Sequence, residues 1–266
     1  MYHYGSHELQ QLKVFKRVNK TTDTVVFLHG GGWRDPNNTL NDFEPLMKDF
    51  NDINVISMNY RLSPKANTDE ELKASPPFQH PRHLIDVIHG MKFIVEKLKL
   101  NIVSMVGHSV GSSLILQLLN YDIIIKNGLP SKGPEEITTE GFEFLESMVL
   151  KNVYLLDGIF DVWKLLEEYP DYRFFTRCAF EDDDHMKQAF QISLDIKPCK
   201  LMNEETVINV VYSLEDELIS IKQSELLVEF LKKWGIKYEF LTGNWGAHEE
   251  IYRRSEISSL ILKGLE

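Results

Sequence analysis

Cysteine is nearly absent: the 266-residue chain holds two, Cys178 and Cys199. A pair so spaced builds neither a disulfide framework nor a zinc site, and both are expected to be reduced core or surface residues. Long apolar runs are missing too. None approaches the ~20 residues that a membrane-spanning helix needs, and residues 1–10 are polar, without a secretory apolar segment. A membrane role is not expected, and a cytoplasmic location is. Positive charge is in deficit, since 29 Lys and Arg against 40 Asp and Glu leave a formal charge of −11. A surface of that sign repels phosphate backbones, which argues against a nucleic-acid partner. His80, His83 and His89 cluster in sequence but lack an i, i+4 pairing backed by a third ligand, so no metal and no cofactor are expected.

What is present is the composition of a soluble globular protein, 43% hydrophobic and 26% charged. Short aliphatic runs at 25–28, 55–58, 102–106, 153–156, 207–211 and 238–241 are bounded by turn formers, as buried parallel strands are. Between them Leu84, Val87, Ile88, Met91, Ile94, Val95 and Leu98 recur at helical spacing. Leu226, Leu227, Phe230, Leu231 and Trp234 do the same and stop at Gly235. The alternation predicts a mostly parallel central sheet with helices on both faces. The proline-bearing stretch 63–81 reads as a surface loop. No linker marks a second domain, so 1–266 is read as one unit, with segments 127–148 and 163–190 as candidates for a small helical lid.

Chemistry is concentrated in a few motifs. Gly107-His108-Ser109-Val110-Gly111 is a G-x-S-x-G sequence between a predicted strand and a predicted helix. On that sharp turn a serine hydroxyl stands above the sheet, and the glycines keep side chains out of a tight backbone, so Ser109 is the expected nucleophile of an α/β-hydrolase fold. His29-Gly30-Gly31-Gly32-Trp33 follows the first of these strands. Its flexible backbone, with the N–H of Val110, can point donors at a developing oxyanion, which nominates Gly31, Gly32 and Val110.

A serine hydroxyl needs a base and an orienting carboxylate, which in this fold follow it in the order acid, then histidine. Only His185 and His248 come after Ser109. His185 stands in an acidic run better explained as solvated loop, whereas His248 lies after the last predicted strand, where the base belongs. Asp216 stands just past the strand 207–211 and is the favoured acid, with Glu215, Glu217 and Asp157 as rivals. Trp33, Tyr60 and Trp245 are candidates to line an aromatic slot for substrate.

Taken with Asn59-Tyr60-Arg61-Leu62-Ser63-Pro64, Leu155-Leu156-Asp157-Gly158-Ile159 and Glu168-Tyr169-Pro170-Asp171-Tyr172, these motifs resemble the fungal kynurenine formamidases, relatives of the hormone-sensitive-lipase-like esterases. The resemblance runs from about residue 25 to 262; the first two dozen residues add little to it. It implies hydrolysis of N-formyl-L-kynurenine to L-kynurenine and formate, a step of tryptophan breakdown toward NAD, and it implies a homodimer. HGG-x-W and G-x-S-x-G are shared by many esterases, which leaves two other readings: a carboxylesterase for small acyl or aryl esters, and a non-catalytic binding protein on the same fold.

Overall fold

The computed structural model describes residues 1–21, 23–74, 78–128, 141–198 and 200–265. Eight strands form one sheet: β1 (Tyr2–His3), β2 (Gln11–Lys16), β3 (Asp23–Leu28), β4 (Asn54–Met58), β5 (Ile102–His108), β6 (Val149–Leu156), β7 (Val207–Ser213) and β8 (Tyr238–Gly243). Their spatial order is β1-β2-β4-β3-β5-β6-β7-β8, with β1 and β2 antiparallel at one edge and all pairings from β4 to β8 parallel. Each predicted run lies inside one of these strands. The edge hairpin is the addition: Gln11–Lys16 alternates Leu12 and Val14 with Lys13 and Lys16, a short charged strand that pairs with β4 on one side and with the two-residue edge strand β1 on the other.

The helices are α1 (Asp69–Ala74), α2 (Arg82–Lys92), α3 (Val110–Leu118), α4 (Tyr121–Asn127), α5 (Val162–Glu168), α6 (Arg173–Ala179), α7 (Asp183–Gln188), α8 (Gln191–Leu194), α9 (Lys222–Lys233) and α10 (Ser255–Lys263). A strand presents successive side chains to opposite faces, and both faces here are apolar. Val26, Leu28, Ile56, Met105 and Leu155 meet α2, α3, α4 and α9 on one side. Val25, Phe27, Val55, Val106 and Leu156 meet Phe43, Tyr252 and α10 on the other. The 84–98 stripe divides between α2 and a π-helical turn at Phe93–Lys97. The α9 stripe closes on Gly235 at φ +61°, the left-handed conformation glycine tolerates best.

The segment 63–81 departs from its reading as plain surface loop. It carries α1, and its first residues are anchored: Ser63 N–H donates to the Trp33 carbonyl at 2.8 Å, and Ala66 is buried. Of the lid candidates, 163–190 folds into most of α5, all of α6 and α7, and a tight turn at Pro170–Tyr172. These helices share a third apolar cluster with Trp33, Val110 and Ile159. Within 127–148, residues 129–140 lie outside the described residues. The remainder packs Phe142, Leu145 and Met148 into the main core.

Register decides what meets at the carboxyl ends of the strands. His108 stands opposite Leu156, and Leu156 opposite Val211. The ladder continues one step further, with Ser109 N–H donating to Leu156 O at 2.9 Å and Asp157 N–H to Val211 O at 3.0 Å. Ser109 and Asp157 therefore leave the sheet at one level, close to where β7 ends.

Candidate active site

Ser109 occupies φ +52°, ψ −121°, a conformation that a residue with a Cβ adopts only under constraint. The constraint is close packing of α3 against the strands. A Cβ on Gly111 would collide with the Leu28 carbonyl, and one on Gly107 would lie 2.6 Å from the Ser112 nitrogen. Gly-x-Ser-x-Gly is thus required at both glycines by backbone approaching backbone. The turn projects Ser109 into a cavity of about 390 Å³ that also reaches Gly31, Gly32 and His248.

His248 and Asp216 form the clearest polar contact of the site. His248 Nδ1 lies 2.7 Å from Asp216 Oδ2, both side chains being essentially buried. An ionised carboxylate only accepts, so Nδ1 carries the proton and Nε2 keeps its lone pair. Asp216 is itself held, its Oδ1 accepting from the N–H of Leu218 and Ile219 at 2.8 and 2.9 Å. Burial alone would lower the His248 pKa, but the hydrogen bond and charge of Asp216 outweigh it and leave it above 6.5. No direct hydrogen bond joins Ser109 to His248; contacts of this kind tighten once substrate is engaged.

The rival acids have separate places. Glu215 accepts from Gly246 N–H at 2.7 Å and Glu217 from His248 N–H at 3.0 Å, so both pin the loop that carries the histidine. Asp157 is fully buried behind the pair. Its Oδ1 accepts from Ser213 N–H at 2.8 Å, its Oδ2 has no partner among the described residues, and its carboxylate, that of Asp216 and the His248 ring all lie within 4.8 Å of one another. Burial, reinforced by the negative charge of Asp216, pushes the Asp157 pKa to about 8. The sequence favoured Asp216 over these three rivals, and hydrogen bonding gives each of the four a distinct place.

Gly31, Gly32 and Trp33 occupy φ +90°, +55° and +61°, and the Gly31 carbonyl turns inward to accept from Arg34 and Asp35. That turn leaves the Gly31 and Gly32 N–H groups without backbone acceptors among the described residues. Val110 is the first residue of α3, whose N–H has no partner inside its own helix. Gly30 brings the loop against the elbow, since a Cβ there would sit 2.8 Å from His108 Nδ1. His29 stacks on Tyr60, and burial lowers its pKa to about 4. His108 Nε2 lies 2.9 Å from the His248 carbonyl, which only accepts, so that nitrogen donates. Both histidines brace the site. His185 lies on α7, 2.8 Å from Asp182 through Nδ1.

The proposed aromatic slot needs correction. Trp33 is buried among Phe175, Phe180 and Phe190 beneath the helical layer. Tyr60 is fully buried and donates to the carbonyls of His29 and Gly30. Trp245 lies over Gly243 and packs on the α10 face, because Glu215 and Glu217 fix its loop the other way. None of the three lines the cavity. Its apolar wall is Tyr172, Phe174, Phe175, Ile159, Leu218 and Ile219, and its cations are Arg34 and Lys65. Tyr172 ends the EYPDY stretch and Arg34 follows HGGGW directly, but helix spacing does not reveal which side chains face a cavity built between distant segments.

Among solved structures the chain is similar to esterase B from Lactobacillus rhamnosis (TM-score 0.69, 16% identity, covering 99% of this chain and 82% of that one). It is also similar to a thermophilic esterase from Thermogutta terrifontis (TM-score 0.62, 14% identity, 99% and 93%). Fold and elbow together define an α/β-hydrolase of the serine-hydrolase class. A kynurenine formamidase of Scheffersomyces stipitis is 39% identical over 98% of this chain and 97% of its own length, one of Meyerozyma guilliermondii 38% over 97% and 90%, and one of Saccharomyces cerevisiae 29% over 94% and 92%. The chain belongs to the kynurenine formamidase family, hydrolases of a formamide bond. No protein-family model matches it.

Proposed function

We propose that this protein hydrolyses N-formyl-L-kynurenine to L-kynurenine and formate, with Ser109 as nucleophile, His248 as acid and base, and Asp216 as the carboxylate that orients it. The observation that carries the assignment of roles is the buried 2.7 Å contact between His248 and Asp216, opening on the same cavity as the strained Ser109. Ser109 Oγ attacks the formyl carbon as His248 Nε2 takes its proton. The former carbonyl oxygen becomes an oxyanion, held by the N–H groups of Gly31, Gly32 and Val110. Collapse breaks the C–N bond, and His248 gives its proton to the leaving aryl nitrogen. Kynurenine departs, leaving a formyl ester on Ser109. Water then attacks that ester while His248 takes its proton, formate leaves, and Oγ regains a proton.

A formyl group asks for little room on the acyl side, whereas the aryl amino acid suits the wall of Tyr172, Phe174 and Phe175. The deciding assay follows free kynurenine and compares kcat/KM with that for short p-nitrophenyl esters. A strong preference for the formamide is expected, and a strong preference for the esters would move the assignment to a carboxylesterase.

Family likeness also underlies a homodimer, to be checked by analytical ultracentrifugation. No described helix is long and apolar enough to cross a membrane. The acidic composition fits a cytoplasmic location, to be checked by cell fractionation.

A further inference from the structure

Arg34 is an unusual cation for a chain of net charge −11. It is 6% exposed and lines the cavity that holds Ser109 and His248. Its hydrogen bonds all run through Nη1, to the carbonyls of Ala66 (3.2 Å) and Phe174 (3.0 Å) and to Cys178 Sγ (3.3 Å). The guanidinium also lies 5.3 Å from the centre of the Phe174 ring. These partners hold the fork from one side and are all uncharged. Among the described residues no carboxylate forms an ion pair with it, in contrast to Arg61, which grips Asp86 with 2.7 and 2.8 Å contacts.

A buried guanidinium without a counter-charge carries a large desolvation cost that an anion would offset. Among the described residues Nη2 and Nε have no acceptor, and Arg34 is one of the side chains lining the cavity, so the Nε–Nη2 edge is the one left to a ligand there. A planar fork with one free edge, Nε and Nη2, matches the two oxygens of a carboxylate. The same cavity is bordered by Asp35 and Glu249. They disfavour a doubly charged phosphate and suit the ammonium of an amino acid. Lys65, more than half exposed and 3.8 Å from Asp35, adds positive potential at the rim.

We infer that Arg34 is the subsite for the α-carboxylate of an aryl-formamide amino acid, and so the residue that makes this hydrolase select an amino-acid substrate over a neutral formanilide. The inference rests on the formamidase reading above and adds to it the part of the substrate that the catalytic groups do not touch. Arg34 binds and positions; it takes no proton.

The test compares N-formyl-L-kynurenine with its α-carboxamide, which keeps the reacting group and loses the negative charge. The wild-type protein is expected to favour the acid by roughly 30-fold or more in kcat/KM, with the difference carried mainly by KM. In Arg34→Gln that preference should fall to within a few-fold, and in Arg34→Lys part of it should return. Because preference is a ratio taken within one preparation, loss of folded protein cancels. If Arg34→Gln yields none, Arg34→Lys carries the comparison: a preference below the wild-type value is expected, and an undiminished one overturns the subsite. Equal use of acid and amide by the wild type, or an undiminished preference in Arg34→Gln, overturns the subsite. Turnover of esters with neither formamide touched removes the formamidase reading itself, and the subsite with it.

Discussion

Ser109 is held at φ +52° by its neighbours and not by its own side chain, so trimming the hydroxyl should leave the fold intact. Ser109→Ala is expected to lower kcat by roughly 10⁴ or more with little change in Tm, since nucleophile and base act as a unit. Near wild-type turnover in that variant would remove the serine mechanism. His248 must be neutral at Nε2 to accept the serine proton. Its pKa is raised above 6.5, so kcat/KM should increase with pH through a midpoint above that value. In Asp216→Asn, burial is left as the dominant influence, and the midpoint of the residual activity should fall. A pH–rate profile of both proteins checks this, and a wild-type midpoint below 6.5 would contradict it.

Asp157 contributes at the same scale through linkage. Its folded pKa is about 8, against an ordinary 3.8, because burial and the charge of Asp216 oppose ionisation. The folded state therefore keeps a proton that the unfolded chain releases, and stability from this group is complete below about pH 4 and is lost as pH rises toward 8. Asp157→Asn removes the titration, so its Tm relative to wild type should climb across that window. A difference independent of pH would show that Asp157 is ionised in the native protein.

At the scale of elements, the elbow depends on how closely α3 approaches β3. Ala at 111 would drive a methyl into the Leu28 carbonyl, a backbone atom unable to rotate away. Ala at 235 meets nothing within 4 Å and pays only for its φ of +61°. Gly235→Ala should cost about 1 kcal/mol, and Gly111→Ala clearly more, on the order of 3 kcal/mol, as read by urea denaturation. Equal costs would mean that α3 can shift away from β3. The acidic loop after β7 shows the same economy of placement: Glu215, Asp216 and Glu217 are consecutive, yet two hold the backbone of the 246–248 loop and only the middle one reaches the imidazole.

At the scale of the whole molecule, the edge hairpin closes the sheet. Leu12 is fully buried, and β2 covers the flank of β4. Removing residues 1–16 should expose that strand edge and an apolar stripe, giving a lower Tm and soluble aggregates on size exclusion. A truncated protein of unchanged Tm and size would show that β4 tolerates an open edge.

The parallel strands from β3 to β8, the two amphipathic stripes, the elbow, the glycine loop and the order of acid before histidine were legible in the residues themselves. Each depends on local spacing or on a turn that only certain residues can make. β1 and β2 were not legible, because a short charged strand gains its structure from the partner it pairs with. The apolar wall and Arg34 were not legible either. They come from the loop before α5, the turn at Pro170–Tyr172 with α6, the loop after β7 and the turn after HGGGW, segments that meet only when sheet register brings their ends together. Identity of the reacting groups is a property of the chain, whereas the surroundings that select among four carboxylates and move Trp33, Tyr60 and Trp245 out of the cavity arise from packing over long sequence distances.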